Sequence, residues 1–342
     1  MDAILSLRDS SFIHPLLTAL YSLLTALHSL ITSLWNLMRI KADFNLLLVS
    51  IVWGSAFVAQ RVAGQMNSVY LFNGARYLLA ALAVLPFAIR SLREARRGDS
   101  PPASAISRAQ FKWMLIAGFL LFMGSALQQA GVVYTTAGNA GFITALYVVF
   151  VPLILFFGWR ERLHWLAVVA VGMAVGGAYL LSTGGRFAVH AGDALELICA
   201  VFWALHLVIL GKFASQFEAN SFSVGQLAVC GLLNLLVGLF VEKSPPLNWS
   251  FLAAVGYTAF FSLGLCYTLQ VWAQRHTPPA DAALILSLES VFAVLTGWQL
   301  LGETLAPIQI VGCALIFAAV ILSQFREWTS GKMDKTRLVE GR

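Results

Sequence analysis

Ten stretches of about twenty residues, apolar and almost free of charge, follow one another along this chain, joined by short connections rich in Gly, Pro, Ser and Thr. A helix needs about 20 apolar residues to cross the hydrocarbon core of a bilayer. A backbone in hydrocarbon must satisfy its own N–H and C=O groups, so spans this apolar are predicted to be helices. A closed barrel would need alternating polar and apolar positions, and that alternation is absent. The first five spans are read at 44–63, 69–90, 111–133, 138–158 and 163–182, and the next five at 193–213, 221–241, 250–272, 280–301 and 306–325. Only 11% of the chain is charged, against about 25% in a soluble domain. The net charge of +6 resides in the short connections, which fits membrane topology and not nucleic-acid binding. Cys199, Cys230, Cys266 and Cys313 all lie in apolar spans without zinc or CxxC spacing, so neither a metal nor a cofactor is expected.

Lys and Arg set the expected orientation. One set of connections holds Arg90, Arg93, Arg96, Arg97, Arg108 and Lys112, then Arg160 and Arg162, then Lys212 and Arg275. Arg39 and Lys41 before the first span, and Arg326, Lys332, Lys335, Arg337 and Arg342 after the last, fall on the same side. The other side holds only Arg61, Arg186 and Lys243. The positive-inside rule then places both termini in the cytoplasm and the chain in the cytoplasmic membrane.

The chain also repeats itself. Residues 135–163 align with 277–305 without a gap, at an offset of 142, with nine of twenty-nine positions identical. Ala140 and Ala282, Ile143 and Ile285, Leu146 and Leu288, and Glu161 and Glu303 are among the matches. Five spans per half is an odd number, so the halves are expected to insert in opposite senses. An inverted repeat of this kind forms a solute site where its halves meet.

The first forty residues stand outside the repeat. Thr18, Thr25 and Thr32 share one heptad position, and Ser22, Ser29 and Asn36 fall four residues later. This stripe predicts an amphipathic helix on the cytoplasmic leaflet; an eleventh span and a low-complexity extension are the alternatives. The domains are expected at 1–43 (extension), 44–184 (first repeat), 185–325 (second repeat) and 326–342 (cytoplasmic tail).

The segments WGSAFVAQR at 53–61, FNGARY around Arg76, the run at 128–153 and LSLESVFAVLTGWQLLGE at 286–303 resemble the drug/metabolite transporter superfamily, and more narrowly its EamA family. The likeness covers about residues 44–325. It implies an all-α integral membrane protein of ten helices in a 5+5 inverted repeat, with a central cavity lined from both halves. Amino acids, other small metabolites or drugs are the substrates it implies. The N-terminal extension has no counterpart in the family.

Polar groups inside the spans are few, and each is costly at membrane depth. Arg76 in span two is read as a substrate contact or as a structural cation serving neighbouring carbonyls. Glu289, near the middle of span nine and matched to Tyr147 in span four, is the candidate for a coupling proton, because desolvation there disfavours its charge. His206 shares a helical face with Trp203 and is a candidate to bind a solute or pass a proton; a packed core histidine is the plain alternative. Trp53, Ser55, Gln128, Asn139, Thr144, Tyr267 and Gln270 complete the expected cavity. Pro152 is expected to kink span four near Val148 and serve as a gate. Glu161 and Glu303 are read as structural, and Asp193 and Glu196 as wetted near the outer end of span six. Gly172 and Gly176 form a GxxxG that suits helix packing, including a homodimer face.

These readings converge on a secondary transporter, expected to export a small organic solute by alternating access. Its partners would be that solute and the lipid bilayer. No Walker A sequence, HExxH or GxSxG is present, so neither ATP use nor an intramembrane enzyme is supported. A scaffold or receptor-like protein without transport is the remaining alternative.

Overall fold

In the computed structural model, residues 10–66, 68–97, 108–134, 137–161, 164–183, 191–213, 216, 218–245, 247–301 and 306–322 are described. Side chains are described from residue 37 onward, apart from 95, 96, 109, 137–139, 182, 183 and 301. The described residues form helices and no strand. In chain order these are α1 (Ser10–Gly64), α2 (Tyr70–Arg96), α3 (Arg108–Tyr134), α4 (Ala137–Ala145), α5 (Tyr147–Trp159), α6 (Trp165–Thr183), α7 (Asp193–Phe213) and α8 (Ala219–Val241). Then come α9 (Trp249–Tyr257), a π-helical segment (Thr258–Leu265), α10 (Cys266–Ala273), α11 (Pro279–Leu286), α12 (Glu289–Leu301) and α13 (Pro307–Leu322).

Eight described helical stretches are long and apolar enough to cross a membrane. The expected fifth and tenth spans are shorter apolar helices, Trp165–Leu181 and Pro307–Leu322. They occupy matching places in the two halves. Large apolar side chains such as Phe87, Phe157, Leu239 and Phe240 stand exposed on the outside of the bundle, as expected where lipid is the solvent. The protein is therefore an all-α integral membrane protein.

The described part of the N-terminal extension joins the first span without a break. From Ser10 it is helical and runs into the first span as one helix, α1, of 55 residues. The physical reason is local: Leu16 to Trp53 contains neither Gly nor Pro, so nothing interrupts the ladder. The polar stripe from Thr18 to Asn36 lies outside the described side chains.

The two sequence halves do not form two lobes. Helix α2 packs along α8, and α3 packs on both α7 and α8. The rod made by α9, the π segment and α10 packs on α1 and α2 in the corresponding way. The broken helix α4–α5 lies on α7, as α11–α12 lies on α1. The main contacts of one half are thus matched by contacts of the other. At one end of the α2–α8 pair, Glu242 accepts hydrogen bonds from the backbone N–H groups of Val69, Tyr70 and Leu71 at 2.8–2.9 Å. A carboxylate at the end of α8 therefore serves the orphan donors and positive dipole end of α2.

Small residues set the closest approaches. A Cβ on Gly54 would lie 2.6 Å from the Glu289 carbonyl oxygen, so only glycine lets α1 lie against α12 here. Helices α6 and α13 cross at Gly177, where a Cβ would lie 2.6 Å from the Gly312 carbonyl oxygen. The GxxxG pair Gly172 and Gly176 has nothing within 4 Å of such a Cβ. Packing inside the chain therefore uses Gly177 and leaves that pair unoccupied.

Candidate functional site

Three spans lose regular α-helix around one cavity. Span four breaks at Leu146, where Leu146 N–H reaches the Ile143 carbonyl at 3.1 Å and Val149 N–H reaches the Leu146 carbonyl at 2.9 Å. Span nine breaks at Ser287 and Leu288, where Leu288 N–H reaches the Ile285 carbonyl at 3.2 Å. Both breaks are short runs of i→i−3 bonding, and both fall on the same aligned leucine, 142 residues apart. Span eight carries the π segment, a form frequent at functional sites. Its Ser262 carbonyl accepts the Trp53 indole N–H at 2.7 Å.

The expected kink near Val148 is thus found at Leu146. Pro152 lies within α5, and its counterpart in the other broken helix is Val294. The break occurs in both copies with proline in one only, so a proline is not required for it.

The cavity measures about 50 Å³ to the centre of a water-sized sphere, room for a few small groups. Of the expected site residues, Trp53, Arg76, Gln128, Thr144 and Tyr147 line it. So do Trp203, His206, Tyr267, Gln270 and Glu289. Ser55 stands apart. The Ser55 hydroxyl bonds the Val52 carbonyl at 2.8 Å and meets the Tyr257 hydroxyl outside the lining. The Asn139 side chain lies outside the described residues.

Sequence reasoning missed Phe57, Gln60, Tyr77, Leu207, Ser262 and Leu263, which also line the cavity. Phe57 and Gln60 lie four and seven residues beyond Trp53, a helical-face spacing that was available in the sequence. Nothing in the sequence marks Ser262 and Leu263, because the π segment turns them inward.

Aromatic rings form much of the wall. Trp53 lies 5.2 Å from Tyr267, Tyr267 5.9 Å from His206, and Trp203 6.3 Å from His206, between ring centroids. His206 Nε2 sits 2.9 Å from Gln226 Oε1. The imidazole donates there, and its Nδ1 has no partner. Glu289 is 4% exposed. It begins α12 as Tyr147 begins α5. The two side chains interact, yet the Tyr147 hydroxyl has no partner within bonding geometry.

Arg76 is 2% exposed. Its Nε–H donates to Asn73 Oδ1 at 2.9 Å and its Nη2 to Gln60 Oε1 at 3.3 Å. Asn73 is fixed in turn by the Ser125 carbonyl at 3.0 Å.

Glu196 corrects the expectation of a wetted carboxylate, being 0% exposed. The Thr144 hydroxyl donates to its Oε2 at 3.0 Å, and Gln128 donates to that hydroxyl at 3.3 Å. It fits a notch at Gly131, where a Cβ would lie 2.7 Å from Glu196 Oε1. Sequence position put Glu196 near a span end; packing of α3 against α7 covers it. Glu161 has the expected structural role, pairing with Lys212 of α7. Glu303 lies outside the described residues.

Comparison with known proteins places this architecture. Residues 40–183 and 190–325 each match the EamA-like transporter family. The chain is 33% identical to an uncharacterised transporter of Archaeoglobus fulgidus over 288 residues, covering 84% of this chain and 87% of that one. It is 27% identical to the inner membrane transporter YedA of Escherichia coli K12, covering 81% and 88%. The threonine/homoserine exporter RhtA of the same bacterium is 27% identical over 154 residues, covering 44% of this chain and 52% of RhtA. A solved crystal structure shares the fold at TM-score 0.67 and 17% identity, covering 83% of this chain and 96% of that one. The chain belongs to the EamA-like transporter family.

Proposed function

We propose that this protein is a secondary active transporter that exports a small organic solute, a metabolite, amino acid or drug, by alternating access. The observation that carries the reading is the pair of breaks at Leu146 and Leu288, at equivalent places in the two halves and beside one cavity. A helix interrupted at mid-membrane can tilt one half against the other without unfolding, which suits a gate. In this reading the repeats 44–184 and 185–325 insert in opposite senses, and both termini face the cytoplasm. Inverted halves offer two alternative closures around one site. The RhtA relative, named as an exporter, supports outward movement.

Glu289 is the proposed carrier of a coupling proton. It is buried at the break with no cation beside it among the described residues, so an ionised form would be costly. His206, with a free Nδ1 on the same cavity, is the second candidate. The cavity offers polar and aromatic contacts but no catalytic motif, which supports transport without chemistry.

Purified protein in proteoliposomes tests this directly. Solute-dependent counterflow from a panel of amino acids, metabolites and drugs is expected for the wild type. Absence of flux for every solute, with the protein folded and inserted, overturns the reading. Glu289→Gln is expected to keep the fold and lose pH-driven flux; unchanged pH-driven flux removes its coupling role.

A further inference from the structure

We infer that Glu196 is a positioning residue that takes up and releases a proton at the start of α7, and so sets whether the Thr144 hydroxyl turns its own proton toward Glu196 or toward the cavity. This rests on the transport reading for its consequence, and its first readout needs no solute.

Thr144 is part of the cavity wall, and Glu196 stands behind it. The carboxyl is 0% exposed, and only one of its oxygens is engaged. Oε2 accepts from the Thr144 hydroxyl at 3.0 Å and from the Cys199 thiol at 3.5 Å. Oε1 has no partner. It faces the α3 backbone at Gly131, where a Cβ would lie 2.7 Å from it. Gln128 Nε2 donates to the Thr144 hydroxyl from the other side at 3.3 Å. A hydroxyl has one donor and two acceptor sites. While Glu196 is ionised, the Thr144 donor is spent on it, and the wall offers a solute no proton there.

Protonation reverses this arrangement. A proton on Oε2 makes the acid the donor, and Thr144 then accepts from both Glu196 and Gln128. The hydroxyl proton no longer has a carboxylate to meet and turns to the cavity. One proton is taken up from water, and otherwise only hydrogen bonds change.

Two opposing effects poise the group. Glu196 lies in the first turn of α7, whose positive dipole end favours the anion. Burial with one oxygen unpartnered makes the same anion costly. A carboxylate kept only for structure would have donors on both oxygens. Asp193, three residues nearer the helix start, is half-buried and lies on the outer side in the proposed orientation. The titratable groups acting on Glu196 are Asp193 and Cys199 of α7 itself, and Glu289 of α12 acts on the same thiol. Helices α3 and α4 bring the neutral Gln128 and Thr144. The end of α5 and the start of α11 reach α7 near its other end, at Lys212 and Gly211.

Infrared spectroscopy of the purified protein in an ester-free detergent, titrated with pH, is the test. A protonated-carboxyl band is expected that fades as pH rises, is lost in Glu196→Gln and remains in Glu289→Gln. The Cys199 S–H band, identified by its loss in Cys199→Ser, should shift over the same pH range in the wild type and stay still in Glu196→Gln. Thr144→Val should shift the carboxyl band, because the acid loses its acceptor, and Thr144→Ser should restore it. A purely structural Glu196 moves none of these signals. A spectrum with no pH-dependent band that Glu196→Gln removes overturns the proposal, as does an S–H shift unchanged in that variant. If Glu196→Gln does not fold, the Thr144 pair decides: a titrating band that moves in neither variant overturns it. Titration of the band without proteoliposome flux of any solute removes the transport reading and leaves the proton site standing. Flux without titration does the reverse.

Discussion

At the residue scale, one arginine and two glutamates sit away from bulk water with no opposite charge beside them among the described residues: Arg76, Glu196 and Glu289. They are not equivalent. Arg76 and Glu289 line the cavity, whereas Glu196 lies behind Thr144 and outside the lining. Glu196 therefore acts on the cavity through the hydroxyl it accepts from. An amide of the same shape keeps that bond, so Glu196→Gln is expected to change unfolding stability by less than about 1 kcal/mol. Glu196→Leu strands the Thr144 donor and should cost about 1–3 kcal/mol. Thermal and denaturant unfolding in detergent measure both, and a large loss in the Gln variant would show that the charge itself is needed. Arg76 and Trp203 were legible as candidates because polar and aromatic groups stand out in an apolar span. The burial of Glu196 was not, because only the approach of α3 to α7 at Gly131 and Gly192 covers it.

At the element scale, interruptions of helices matter more than helices. The repeat told which residues of spans four and nine correspond, but not that both would break at Leu146 and Leu288. Proline was the visible sequence signal, and the observed break lies at Leu146 rather than near Val148. Pro152→Ala is expected to leave the break in place and change transport by less than about threefold, since Val294 stands at the aligned position of the other copy, which breaks without a proline. A loss of tenfold or more in flux would restore Pro152 as the gate. Packing at the breaks depends on Gly54, whose missing Cβ lets α1 touch the backbone of α12. Gly54→Leu should overpack this contact, lowering stability by about 1–3 kcal/mol. Unfolding midpoints test it, and a variant as stable as the wild type would mean that α12 can move aside freely.

At the scale of the whole molecule, the matched contacts of the two halves call for a test of their sense in the membrane. His164 and Ala306 are aligned positions at the offset of 142, each exposed just before a short apolar helix. Cysteines placed there, on a background without Cys199, Cys230, Cys266 and Cys313, are expected to react with an impermeant reagent from opposite sides. Labelling from the same side would overturn the inverted arrangement. A reporter fused after Arg342 is expected to read cytoplasmic, and an external readout would reverse the orientation drawn from Lys and Arg.

The sequence by itself determined that this chain lives in a bilayer as helices, because hydrocarbon leaves a backbone no other way to pair its polar groups. It also determined that the chain is built of two related halves, because aligned residues survive at a fixed offset. What only the tertiary structure decided is which side chains share a space. That depends on where helices break, where a π turn rotates Ser262 inward, and which glycine lets two backbones meet. These are outcomes of packing between segments far apart in the chain, and no local pattern encodes them.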